Sequence, residues 1–124
     1  MKATLTTILI LITLSGFSQF VNLDWKRQNV KAQCRHLELI YQSRDYLEYK
    51  TPSGYVAYEF TDRICTTSIN CMDYLSGKQM ILDREQNEWK RTGPDQWDYF
   101  VGDTKPIKVT ADWCGGNVLF RYRW

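Results

Sequence analysis

The chain has 124 residues, a formal net charge of +2, and 44% hydrophobic and 15% aromatic residues. That length fits one domain, and so small a net charge gives no broad field for nucleic acid or an anionic membrane, which excludes both as expected partners. A single histidine and four cysteines leave few groups for nucleophilic or metal chemistry.

Residues 1–18 have the layout of a secretory signal: Lys2 is the positive start, Leu5–Leu14 the apolar run, and Gly16 and Ser18 the small residues before a cut. A membrane span needs about 20 apolar residues, so this run is too short to cross a bilayer. The reading is a signal peptide over 1–18, a single β-rich domain over 19–124, and a secreted or periplasmic location.

From Gln19 to Gln33, Leu23, Val30 and Cys34 recur at helical spacing, with Asn22 as a possible cap. A short helix or irregular segment is expected up to about Gln33, then a strand near Arg35–Tyr41. Tyr46–Lys50 and Tyr55–Phe60 flank Thr51-Pro52-Ser53-Gly54 and read as a hairpin with tyrosines on both faces. Cys71–Leu75 and Gln79–Leu82 read as short strands around Ser76-Gly77-Lys78, and Asp83–Glu88 as a loop or one helical turn. Glu88–Thr92 and Gln96–Val101 flank Gly93-Pro94-Asp95, a further hairpin. No internal repeat at a fixed period is seen.

The last hairpin has the clearest pattern. Ile107, Val109, Ala111 and Trp113 alternate with polar residues, Cys114-Gly115-Gly116-Asn117 supplies the turn, and Val118, Phe120, Tyr122 and Trp124 alternate on the return. The register predicted is Trp113 with Val118, Ala111 with Phe120, Val109 with Tyr122 and Ile107 with Trp124. Lys108 would then face Arg123, a like-charge pair that costs a little unless an anion or an acidic side chain lies nearby. The fold expected is mainly β: a small antiparallel barrel or sandwich of hairpins, since closure removes exposed strand edges.

An even cysteine count in an exported chain predicts two disulfides. The pairing preferred is Cys65 with Cys71 across a short spacer, leaving Cys34 with Cys114. No metal or cofactor is expected, because no Cys-x-x-Cys pair exists and His36 is the only imidazole. With its thiols oxidised and no Gly-x-Ser-x-Gly elbow, the chain offers no catalytic nucleophile.

Two carboxylates suffice for a glycan hydrolase, and Asp83 with Glu85 or Glu88, or Asp95 with Asp98, are the candidate pairs. Trp89, Arg91, Trp97 and Tyr99 are the candidate ligand-binding residues, because flat rings beside hydrogen-bonding groups suit a sugar or a partner's side chains. Alternation along the strand equally places Trp97 and Tyr99 in the core. Basic residues gather at Lys26-Arg27 with Lys31 and Arg35, and at Lys108 with Arg121 and Arg123; either group is a solvated face or a seat for an acidic partner. The leading expectation is an exported β domain that binds a protein or glycan without catalysis. A small secreted hydrolase and a structural envelope component are the alternatives.

Overall fold

The computed structural model describes residues 21–101 and 105–124; the signal segment expected over 1–18 lies outside them. Eight strands form one antiparallel sheet: β1 (Glu38–Ser43), β2 (Tyr46–Thr51), β3 (Gly54–Thr61), β4 (Ile64–Asp73), β5 (Trp89–Gly93), β6 (Gln96–Tyr99), β7 (Ile107–Cys114) and β8 (Asn117–Arg123). Helix α1 (Arg27–Gln33) precedes β1, and helix α2 (Tyr74–Asn87) separates β4 from β5. The order across the sheet is β1-β2-β3-β4-β8-β7-β6-β5. β1 and β5 therefore lie at opposite edges and do not meet, so the expected barrel or sandwich is replaced by a single open sheet.

The three hairpins expected from the sequence form, as β2–β3, β5–β6 and β7–β8. In the last one Trp113 pairs with Val118, Ala111 with Phe120 and Val109 with Tyr122, as expected, around a tight Gly115-Gly116 turn. Lys108 faces Arg123, and Asp98 on the neighbouring strand places an acid 2.7 Å from Lys108 Nζ. Along the sheet, Tyr49, Val56, Asn70, Phe120 and Ala111, all buried, continue one another from strand to strand. Trp89, Trp97 and Tyr122 close the β5 side of this core, Trp89 meeting Trp97 in a tilted and Tyr122 in an edge-on ring contact.

The region around Gly77 differs from its sequence reading. Only Cys71–Asp73 continue as strand; Tyr74–Asn87 is one helix in place of two short strands and a loop. Asp73 starts it, its carboxylate accepting from the Ser76 N–H and hydroxyl, each at 2.8 Å, which satisfies donors the first turn leaves unpaired. Gly77 is there for packing, because a Cβ at that position would overlap the Val118 side chain. Gly77, Met80 and Ile81 are the buried residues of α2, and they cover the β4–β8 centre of one sheet face. Asn22 does not cap α1: it sits at φ 41 and donates to the Gln33 side chain.

Among the described residues each half of the chain is a helix followed by four antiparallel strands, and the halves meet where β4 pairs with β8. The likeness extends to Asp45-Tyr46-Leu47-Glu48-Tyr49 and Asp95-Gln96-Trp97-Asp98-Tyr99. The Asp45 carbonyl accepts the Phe60 N–H at 2.9 Å, and the Asp95 carbonyl accepts the Ala111 N–H at 3.0 Å. The matching final turns are Asp62-Arg63, at φ 51 and 67, and Gly115-Gly116, at φ 56 and 84. Sequence divergence between the halves hides this repeat from a search for a fixed period.

The two expected disulfides are absent, and all four cysteines are free thiols. Cys65 and Cys71 both lie on β4. Six residues of extended strand span roughly 20 Å, whereas a disulfide needs Cα atoms within about 7 Å. Cys34 is fully buried beside the Tyr58 hydroxyl, 3.9 Å away, while Cys114 is exposed at the β7–β8 turn. Burial raises the Cys34 thiol pKa, with the Tyr58 contact lowering it slightly, and pushes that of Cys65 up to about 12. Both are therefore poor nucleophiles in the folded protein.

Candidate functional site

The aromatic residues singled out from the sequence are core. Trp89, Trp97 and Tyr99 are 4%, 1% and 9% exposed, so their ring faces are not offered to a ligand. The Trp97 indole N–H donates to Glu85 at 3.0 Å. Arg91 is exposed, but its guanidinium lies over the Trp97 ring and donates to the same Glu85 carboxylate at 2.9 Å. The cluster thus fastens α2 to the β5–β6 hairpin, and the three buried rings form no open aromatic platform, while Arg91 alone of the four is exposed.

The candidate carboxylates are similarly engaged. The Trp97 N–H and then the Arg91 guanidinium hold the Glu85 carboxyl below its usual pKa, the opposite of what a general acid requires. Asp83 accepts from Gln79, Glu88 from Arg84, Asp98 from Lys108, and Asp95 from the Trp113 indole. Each of these acids has a hydrogen-bonding partner within the fold. His36 is exposed, and among the described residues no cluster of His, Cys, Asp or Glu is suited to hold a metal.

On the sheet face away from α2, Arg121 meets Asp112 at 3.6 Å and Lys108 meets Asp98. The second basic group of the sequence is thereby largely neutralised within the sheet.

The first basic group behaves differently, because the fold adds two arginines to it. The segment before α1 lies against the start of β4: Asp24 N–H donates to the Cys65 carbonyl at 2.9 Å, Cys65 N–H to the Trp25 carbonyl at 2.8 Å, and Arg27 N–H to the Arg63 carbonyl at 2.8 Å. Lys26 and Ile64 form an isolated antiparallel bridge. This docking carries Lys26 and Arg27 to the Asp62-Arg63 turn. Arg27 also reaches the β1–β2 turn, where its Nη2 donates to the Ser43 carbonyl at 2.8 Å beside Arg44.

The result is a cleft of about 670 Å³ lined by Lys26, Arg27, Gln28, Arg44, Asp62, Arg63 and Ile64. Its volume lies within the usual range of small-ligand sites, roughly 300–1,000 Å³. Four cationic side chains share it with one carboxylate, and among the described residues none of the four takes part in an ion pair. Arg27 Nε is buried without a hydrogen-bond partner, an arrangement that costs free energy unless an acceptor reaches it. Lys31 and Arg35, grouped with this cluster in the sequence, do not line the cleft.

The Asp62-Arg63 turn adds a conformational signal. Two-residue hairpins of this kind need positive φ at both central positions, which favours glycine, asparagine and aspartate. Arginine at φ 67 is strained relative to glycine, the residue found in the matching β7–β8 turn. Strain of this type gathers where a side chain is wanted for another purpose.

The class these features define is an open antiparallel sheet covered by a helix on one face, with a basic cleft at one end. No protein-family model matches the chain, and searches of curated proteins and of solved structures likewise find no match.

Proposed function

We propose that this protein is an exported, non-catalytic binding domain that holds an anionic group of a macromolecular partner in the cleft between α1, the β1–β2 turn and the β3–β4 turn. The observation that carries the proposal is the convergence of Lys26, Arg27, Arg44 and Arg63 on one cleft, with Asp62 the one acid among its described lining residues. Arginine pairs planar anions such as carboxylate, phosphate and sulfate with two parallel hydrogen bonds. Export is supported by the signal layout of residues 1–18, and absence of catalysis by the structural engagement of each candidate carboxylate.

Calorimetric titration with a sulfated oligosaccharide, an acidic peptide and inorganic phosphate tests this reading and separates a glycan from a protein source. Binding of one macromolecular probe that weakens with added salt, and that Arg44→Ala with Arg63→Ala removes, is the expected result. Equal binding by that double variant overturns the assignment.

A further inference from the structure

The two sheet edges are protected very differently. β5, the edge of the second half, carries Lys90 and Arg91 and runs into Gly93-Pro94, features that discourage pairing with another strand. β1, the edge of the first half, has the sequence Glu38-Leu39-Ile40-Tyr41-Gln42-Ser43, and all six residues are exposed. Its three central side chains are large and apolar, with Leu39 40%, Ile40 50% and Tyr41 57% exposed. β1 pairs with β2 alone, and only a register slip between Leu39 and Tyr41 interrupts it. An apolar edge of this length, with open backbone donors and acceptors, is a template for strand addition.

We infer that β1 is a self-association edge, pairing antiparallel with β1 of a second copy of this chain about a two-fold axis. The charge order along the strand selects this occupant: an acid, Glu38, lies at its start and a base, Arg44, just past its end, both exposed. Antiparallel pairing centred on Tyr41 sets Glu38 of one copy against Arg44 of the other, and symmetry repeats the match at the far end. In this register Tyr41 lies opposite Tyr41 of the other copy, Leu39 opposite Ser43 and Ile40 opposite Gln42, so the two Leu39–Tyr41 stretches meet diagonally about the axis and lose part of their exposed apolar surface. A parallel arrangement would set like charges together. The resulting dimer is one continuous sheet with the two basic clefts flanking the new seam, since Arg44 borders both features.

Sedimentation equilibrium of the purified protein across a concentration series tests the inference. The wild type should approach twice the chain mass as concentration rises. Ile40→Lys, which charges the edge while leaving every cleft residue unchanged, should remain monomeric with an unaltered unfolding midpoint. Glu38→Arg should weaken the dimer at least about fivefold, and adding Arg44→Glu should restore it. A wild type that stays monomeric throughout overturns the inference, as does a dimer that survives Ile40→Lys. Neither result bears on the cleft, which Arg63→Gly tests by ligand titration without altering any residue of the seam.

Discussion

Replacing Arg63 by glycine should make the protein more stable and a poorer binder. Arg63 has φ 67, is exposed, and among the described residues forms no ion pair, so its side chain contributes little that glycine would lose. Its carbonyl, which accepts the Arg27 N–H, remains. Holding a non-glycine residue in the left-handed region costs about 1–2 kcal/mol, while glycine adds roughly 0.4–1 kcal/mol of freedom to the unfolded chain. The net expectation is a gain of about 0.5–1 kcal/mol. For a domain of this size that corresponds to roughly 2–6 °C in Tm.

Urea unfolding followed by tryptophan fluorescence measures the change, since Trp89 and Trp97 are buried. The matching turn provides a control: Gly116→Arg, at φ 84 in open space, should lose a comparable amount. Affinity for the anionic probe should fall about tenfold in Arg63→Gly, the equivalent of one charge-assisted hydrogen bond. A variant that is less stable than the wild type, or that binds equally well, would refute the view that arginine is kept here for the cleft at a cost to the turn.

Trp97→Ala should destabilise the fold by roughly 3–5 kcal/mol, as expected of a ring 1% exposed, and calorimetric unfolding would show it; a variant folded as firmly as the wild type would return Trp97 to the surface. Gly77→Ala should cost about 1–3 kcal/mol by overpacking, because the new methyl meets Val118, and urea unfolding would detect it. Glu85 has its folded pKa lowered by the Trp97 N–H and Arg91, so its stabilisation is present above the unfolded carboxylate value and lost as pH falls through the folded one. Glu85→Gln should therefore be less stable at pH ~7 by about 0.5–1 kcal/mol, with the gap closing on a pH series of melts as the pH falls below the ordinary carboxylate range. Thiol titration should find four reactive groups per chain in non-reducing denaturant, with Cys114 first and Cys34 and Cys65 slowest in the native state; fewer than four would establish a bridge.

The hairpins were legible because period-two alternation and turn residues act locally, and the last hairpin's register followed from a loop that could close in few ways. Helix α2 was hidden by Gly77, which mimics a turn in Ser76-Gly77-Lys78 but exists to admit Val118. That reason lies on another strand, more than forty residues away in sequence. The choice between a closed barrel and an open sheet depends on which edges meet, and no local pattern states that β4 takes β8 as its neighbour. At the cleft, Lys26 and Arg27 were visible as adjacent cations, whereas Arg44 and Arg63 join them only through two hairpin ends. One signal was available: Asp62-Arg63 stands where a tight turn prefers glycine or asparagine. The aromatic residues misled because a tryptophan-rich strand reads alike as a platform or as a core, and burial alone separates the two.

Amide chemical shifts during titration with the sulfated or acidic probe test the central claim most directly. Changes confined to Lys26–Gln28, Arg44 and Asp62–Ile64, and lost together in Arg44→Ala with Arg63→Ala, are the predicted result. Changes centred elsewhere, such as on the sheet face of Lys108 and Arg121, or no change with any anionic probe, would contradict it.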